Sequence, residues 1–286
     1  MRFTDTKELK SIVYETLDHS ITDWIDEKMD TIITNESAKD LYLTYSLLSH
    51  KINWDKLLEV EKLENNKLSK YLRAQNASTL QLARIYMLSK VLEENSGYFQ
   101  SKVANLIQVA DKAELETFLK FLILLPNPEN YRQAAVEALR TNIATVFDAI
   151  SANNPYPSAY FNDRQWNQMY LKAAFMQQDL SRILDIDKRA NADLARIISD
   201  YAHERWAASR DVDPLFWRPV SGFLDDSLLK DMKRLLQSDN PVENKVGALC
   251  CFTSDASKAK SLLDEYPNLG EAAAAGKINW SNVQED

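Results

Sequence analysis

The stretch DDSLLKDMKRLLQSDNPVENKVGALCCF, residues 225–252, indicates most clearly how this chain folds. Leucine and methionine recur every three or four positions in residues 225–237, and this spacing predicts an amphipathic helix. Asn240-Pro241 interrupts the pattern, and proline is favoured in the first turn of a following helix. Residues 242–252 and 256–266 then repeat the period up to Pro267. Two helices within about forty residues are typical of a HEAT-type repeat unit.

The same helical period runs through the rest of the chain. Apolar stripes occupy residues 9–17, 24–33, 41–48 and 78–94, Ser37 is a candidate N-cap with Asp40 three residues later, and Gly97 is a candidate helix end. Five glycines and eight prolines in 286 residues are few for sheets or barrels. We therefore expect an all-α fold with antiparallel helix pairs stacked as a HEAT-like superhelical array. A compact helical bundle is the alternative.

The pattern divides the chain into three segments that we expect to form one continuous domain. They are an N-terminal helical region at 1–125, a core rich in polar and aromatic residues at 126–224, and C-terminal HEAT-like capping helices at 225–286. Within the core, Asn127-Pro128 opens a predicted helix that reaches Ile150.

Charge and cysteine usage limit the class of protein. The formal net charge of -8 is poorly suited to a nucleic-acid backbone, so no nucleic-acid partner is expected. Cys250 and Cys251 lie together in an apolar stretch and are predicted to be two buried thiols, which fits a reducing compartment. The charged first fifteen residues do not resemble a signal peptide, and no window has 18 apolar residues. We expect a soluble, cytoplasmic protein with no direct membrane span.

Residues that fit poorly on a plain helical scaffold concentrate in the core. On a helical wheel, Asn142 falls at the edge of a buried stripe that includes Ile143, and Arg140 falls beside Phe147. Residues 163–177 are apolar nearly all round, so their polar side chains need partners. An arginine on the core face of residues 191–209 needs a carboxylate, an anionic ligand or the rim. The candidate ligand-binding residues are Arg140, Asn142, Trp166, Asn167, Lys172, Tyr201, His203, Arg205 and Trp206.

Both a structural and a functional interpretation of these residues stay open. They either form a hydrogen-bond network that joins helices or line a polar pocket. Residues 153–157 contain two prolines, and this stiff turn either joins two helices at a fixed angle or holds a site. Asp200-x-x-His203 resembles half of a carboxylate-bridged metal site, but no second half is present. We therefore expect no metal and no cofactor, and we identify no catalytic residues.

Several blocks of this region resemble the EboA family. They include Arg140-Thr141-Asn142, Asn154-Pro155-Tyr156-Pro157, Trp166-Asn167-Gln168-Met169, Arg189-Ala190-Asn191, residues 201–208 and Trp217-Arg218. The resemblance covers about residues 126–224 strongly and the first 125 residues only by their helicity. One departure is Ser209, where the family pattern leads us to expect glycine.

The resemblance implies a bacterial pathway of secondary-metabolite precursors. EboA-family proteins are encoded beside Ebo partners, one of which is a prenyltransferase-like membrane protein, and the family has no established reaction. The first hypothesis is a non-catalytic scaffold or adaptor that binds other Ebo pathway proteins. The alternative is a protein that binds an anionic or isoprenoid-type metabolite, or an unassigned enzyme, with a pocket in the core.

Overall fold

The computed structural model describes residues 3–53, 56–60 and 63–284. Helices account for 73% of the described residues, which contain no strand beyond a single bridge between Leu57 and Ser78. The prediction of an all-α fold is confirmed. No helix among these residues is long and apolar enough to cross a membrane.

The chain divides into two compact units, Met1–Tyr160 and Phe161–Asp286. The boundary falls inside the predicted core segment, and the three-part division by sequence pattern stays a prediction. The α-helices of the first unit are α1 Thr6–Thr16, α2 His19–Thr34, α3 Ala38–Lys51, α4 Asn66–Ala74, α5 Thr79–Ala104, α6 Leu106–Val109, α7 Lys112–Phe121, α8 Arg132–Ala138, α9 Ala144–Ser151 and α10 Tyr156–Tyr160. Those of the second unit are α11 Asp163–Phe175, α12 Ile186–Arg189, α13 Ala192–Ala207, α14 Asp226–Leu236, α15 Pro241–Thr253, α16 Ser257–Asp264 and α17 Pro267–Ala274.

In each unit, one helix packs against several of the others. In the first unit α5 packs against α1, α2, α3 and α7, and in the second unit α15 packs against α14, α16 and α17. This arrangement is compatible with the compact-bundle alternative. The HEAT-like stacking is not confirmed.

The central helix α5 begins as expected and ends later than expected. Ser78 caps it in a reciprocal capping box with Gln81. Asn95 leaves the helical region at φ -149° and ψ 76°, and its side chain accepts a hydrogen bond from the Tyr98 backbone, which starts a further helical stretch to Ala104. The predicted helical stretch to about Glu94 is therefore interrupted as expected, at Asn95, and only the stop at Gly97 is wrong, because the asparagine cap restarts the helix.

The predicted helix over residues 127–150 is also wrong. Asn127 has a positive φ of 48°, a short 3₁₀ turn follows at Pro128–Tyr131, and α8 and α9 are separated by residues 139–143. Thr141 accepts a hydrogen bond from the Ile143 backbone at 3.1 Å and so competes with the helical pattern. Ile143, expected in the buried stripe, is 50% exposed.

The stiff turn at residues 153–157 has a structural role. Asn154 is buried and its amide donates to the carbonyls of Leu119 and Ala149, while its oxygen accepts from the Tyr156 backbone. The Tyr156 hydroxyl donates to the Pro128 carbonyl at 2.7 Å. The turn thus fixes α9 and α10 against the rest of the first unit.

The second unit is organised around a ten-residue 3₁₀ segment, Pro214–Phe223, which packs against α12, α13 and α15. The sequence pattern does not predict this segment. It also misses α17, because Pro267 occupies the first turn of a helix and not a helix end. The two thiols are buried as predicted, and burial raises the pKa of Cys250 to about 12 and that of Cys251 to about 11.

A buried ion pair joins three helices of the first unit. Arg84 on α5 and Glu114 on α7 are 3% and 5% exposed, and their charged groups lie 3.5 Å apart. Arg84 also donates from Nε to the Tyr45 carbonyl on α3, and the Tyr45 hydroxyl donates to the Glu114 carbonyl. Because both charges lie out of water, each depends on its partner.

Replacing Arg84 by leucine should lower the free energy of unfolding by about 3–5 kcal/mol, since it leaves the Glu114 carboxylate buried without its cation. Chemical denaturation measures this loss. The matched control is Lys90→Leu on the same helix, which breaks the exposed pair with Glu94 and should cost at most about 1 kcal/mol. Equal effects of the two replacements would contradict the importance of the buried pair.

Candidate functional site

A cleft of about 1260 Å³ lies in the second unit, between the end of α13, the loop that follows it and α14. α13 contributes Tyr201, Arg205 and Trp206, and the 3₁₀ segment contributes Phe216. α14 contributes the three cations Lys230, Lys233 and Arg234. Three predicted candidates, Tyr201, Arg205 and Trp206, are therefore brought together here.

Stacked aromatic rings form the apolar wall of the cleft. Trp206 stacks on the buried Trp217 with centroids 5.5 Å apart and planes at 20°. Phe216 stacks on Tyr170 at 5.6 Å, and Tyr201 meets the edge of Phe216 at 5.3 Å. The side chains of the 3₁₀ segment thus hold the exposed rings of α13 in place.

The cleft is lined by nine charged side chains, five cationic and four acidic: Arg205, Arg210, Lys230, Lys233, Arg234, Asp211, Asp213, Asp239 and Glu243. This small positive excess contrasts with the net charge of -8 on the chain. Among the described residues, Arg210, Lys233 and Arg234 form no ion pair. The Arg234 guanidinium lies 4.0 Å from the centroid of the Trp206 ring, which places a cation beside an aromatic surface.

Arg205 is hydrogen-bonded to the loop that follows α13. Its guanidinium donates twice to the Asp211 carbonyl, at 3.0 and 2.7 Å, and lies 6.0 Å from the Tyr201 ring centroid. Of the three predicted outcomes for this arginine, a carboxylate, an anionic ligand or the rim, the structure has the rim, where a backbone oxygen accepts from the guanidinium.

The departure at Ser209 has a conformational consequence. Ser209 follows the C-terminus of α13 with φ 54°, in the left-handed region. Glycine adopts this conformation at no steric cost, whereas other residues pay about 1–2 kcal/mol. Ser209 is therefore a strained residue on the wall of the cleft.

A smaller cavity of about 430 Å³ shares Trp206, Lys230 and Arg234 with the cleft and is also lined by His203. His203 Nε2 lies 2.6 Å from Oδ1 of Asp231. Asp231 is 3% exposed, and its other oxygen accepts a hydrogen bond from the Ser199 hydroxyl at 2.6 Å. His203 is thus held by a buried carboxylate at the edge of a cavity.

The candidates on α11 lie elsewhere in the second unit and do not line the cleft. The Asn167 amide exchanges two hydrogen bonds with Asn191, at 3.0 and 2.9 Å, and Asn191 also caps α13. Trp166 is buried, and the Arg189 guanidinium lies over its ring, 5.0 Å from the ring centroid. Partial burial lowers the pKa of Lys172. At Asn167 the structure contains a hydrogen-bond network that joins helices, which is the structural one of the two interpretations left open by the sequence.

Arg140 and Asn142 belong to the first unit and are exposed on the turn between α8 and α9. Arg140 pairs with Glu137 at 3.0 Å. The predicted places of Asn142 at the edge of a buried stripe and of Arg140 beside Phe147 depended on a continuous helix, which the chain does not form. Neither residue belongs to the unit that contains the cleft.

The residues of α14 are not among the predicted site residues, although their sequence pattern contains a signal. Asp231 follows Leu228 by three positions and precedes Leu235 by four, so it lies on the buried face of an amphipathic helix. A carboxylate at such a position needs a buried partner. The partner is found on α13.

Metal binding gains no support from the geometry. Asp200 pairs with Arg196, whereas His203 faces Asp231. The described part of the chain contains no group of three or more His, Cys, Asp or Glu side chains that could hold a metal ion.

Comparison with known proteins identifies the family. Residues 6–221 match the family model described as "Metabolite traffic protein EboA". The chain belongs to the EboA family. The match reaches through the N-terminal helices, further than the sequence blocks that suggested it, and ends within the 3₁₀ segment. EboA membership supports a role in metabolite handling. No curated protein and no solved structure gives a significant match.

Ser209→Gly should raise the free energy of unfolding by about 1 kcal/mol, because glycine adopts the left-handed conformation without strain. Thermal or chemical denaturation measures the gain. Ser227→Gly in the first turn of α14 is the matched control and should be neutral or destabilising, because its conformation is helical. A destabilised Ser209→Gly variant would show that the serine side chain itself supports the loop.

Proposed function

We propose that this EboA-family protein binds an anionic small metabolite with an aromatic or conjugated apolar part, and that the cleft between α13 and α14 is the binding site. The observation that carries the proposal is the pairing of Arg234 with Trp206 at 4.0 Å on the wall of a cleft that other cations line. The family's role in metabolite handling supports the same conclusion.

The charge pattern favours an anion over a neutral ligand. Lys233, Arg234 and Arg210 lie around one cavity without a carboxylate within ion-pair distance among the described residues. An anionic group placed between them gains Coulomb energy from several cations at once, about 1 kcal/mol or more from each close contact at the surface of a protein. The acidic residues of the cleft would in turn disfavour a ligand with negative charge at both ends.

The aromatic wall favours a planar or conjugated body. Trp206 and Tyr201 are partly exposed and are held by buried rings beneath them, so they offer surface without losing conformational freedom on binding. A cavity of about 1260 Å³ has room for a metabolite of ordinary size. An isoprenoid chain would also be accepted by such a wall, but its charged end would still need the cations.

The scaffold hypothesis predicts binding to other Ebo pathway proteins, including the prenyltransferase-like membrane protein. It remains a prediction, since no described surface identifies a protein partner. The cleft has a defined chemistry, and for this reason we favour the ligand-binding alternative. The two are separable, because a scaffold does not need the cations of the cleft.

The fluorescent anion 8-anilinonaphthalene-1-sulfonate tests the site, because it combines a sulfonate with aromatic rings. Arg234→Gln should weaken its binding about fivefold, since it removes about 1 kcal/mol of charge and cation–π interaction. Fluorescence titration measures the dissociation constant. The uncharged analogue N-phenyl-1-naphthylamine should bind native protein and variant alike.

Lys258→Gln is the matched control for this titration. Lys258 belongs to the same unit, pairs with Asp226 at 2.6 Å and does not line the cleft. The control removes one positive charge from the unit and should leave binding unchanged. If the native protein fails to bind the sulfonate, or if the two variants bind it equally well, the proposed site is wrong.

A further inference from the structure

The smaller cavity has features of an acid–base site that binding alone does not require. Its central group is the imidazole of His203 on α13, whose Nε2 lies 2.6 Å from Asp231 on α14. A carboxylate only accepts hydrogen bonds, so Nε2 carries the proton that lies between the two residues. The neutral ring then keeps a lone pair on Nδ1. That atom has no hydrogen-bond partner in the part of the chain that the structure describes.

One further contact orients the carboxylate that holds the imidazole. The Ser199 hydroxyl donates to Oδ2 of Asp231 at 2.6 Å, so each carboxylate oxygen has one donor and a fixed orientation. Asp231 is 3% exposed, whereas the His203 side chain is 55% exposed. A buried carboxylate behind an accessible histidine stabilises the imidazolium that forms when Nδ1 takes up a proton.

The other residues of the cavity suit the anion that a ligand becomes when it gives up a proton. The Trp206 ring lies 5.6 Å from the His203 ring centroid and gives the cavity an aromatic side against which a planar ligand can pack. Lys230 and Arg234 line the same cavity and would stabilise negative charge left on the ligand. The cavity volume of about 430 Å³ lies within the range of small-molecule sites, about 300–1,000 Å³.

We propose that His203 is a general base for a planar, conjugated substrate that carries an acidic C–H or O–H group. Nδ1 takes the proton, and the electron pair of the broken bond stays on the substrate as an anion beside Lys230 and Arg234. The imidazolium then returns its proton to the product or to water. Asp231 and Ser199 are positioning residues, since they act through the histidine and do not touch the substrate.

The assay uses 5-nitrobenzisoxazole, a planar probe of proton abstraction from carbon. The base removes the ring C–H proton, the C–H electron pair forms the nitrile, and the N–O bond breaks to release a coloured phenolate. General-base catalysis by a positioned side chain typically contributes about 10²–10⁴-fold. For a probe that is not the natural substrate, His203→Asn should lower the rate at least about tenfold. His50→Asn, at an exposed histidine of the first unit, should leave it unchanged.

Nitrogen-15 NMR of the histidine rings gives a second readout, the tautomer of the neutral His203 ring, while the proton-abstraction rate separates a general base from a merely structural hydrogen bond between α13 and α14. The neutral His203 ring should be protonated at Nε2 in the native protein. Asp231→Asn, or Ser199→Ala where the asparagine variant fails to fold, should reduce both this preference and the rate. Equal rates for native protein and His203→Asn, or a native ring protonated at Nδ1, would overturn the proposal.

The outcome does not depend on anion binding in the larger cleft. Native protein that binds the naphthalene sulfonate but shows no histidine-dependent proton transfer would retain the proposed function and lose only the general base. The reverse result would remove the proposed ligand site and leave the acid–base site standing.

Discussion

The candidate site depends on the burial of the 3₁₀ segment Pro214–Phe223. A 3₁₀ run of ten residues is longer than its own hydrogen bonds usually sustain, so tertiary packing has to hold it. Trp217 and Phe216 provide that packing, since each is fully buried and each stacks on a ring of a neighbouring helix. The partly exposed rings of Trp206 and Tyr201 on α13 are therefore backed by buried rings, and the wall of the cleft is formed without a ligand.

Helix α14 supplies both the anchor and the charge of the site. Its buried face carries Asp231 among leucines, and this carboxylate binds two side chains of α13. Its outer side carries Lys230, Lys233 and Arg234, which line the cleft. Because Asp231 fixes the helix against α13, it also fixes the distance between the cations and the aromatic wall. The same hydrogen bonds that stabilise the unit thus set the geometry in which a ligand would be held.

Sequence periodicity predicts the helices well where one stripe and one cap decide the outcome. Ser37 caps α3, Ser78 caps α5 and Pro241 begins α15, because each of these signals is local. The errors lie where local side chains compete with the helix, as Thr141 and Asn95 do, and where distant packing decides, as in the 3₁₀ segment. The residues that the fold brings together at the candidate site could be predicted only in part, for the same reason. Tyr201, Arg205, His203 and Trp206 share one helix, whereas Asp231 and Arg234 reach them only through the fold.

The exposure of the cations has a consequence for a protein of metabolite traffic. Lys230, Lys233 and Arg234 are all exposed, so water and salt screen their attraction for an anion. Several weak contacts of this kind give moderate affinity and fast dissociation, whereas a buried charge would hold its ligand for longer. A protein that passes a metabolite to another has to release it. Under the proposed function, an open cleft on a rigid aromatic wall would meet both needs, since the wall would select the ligand and the screened cations would let it leave.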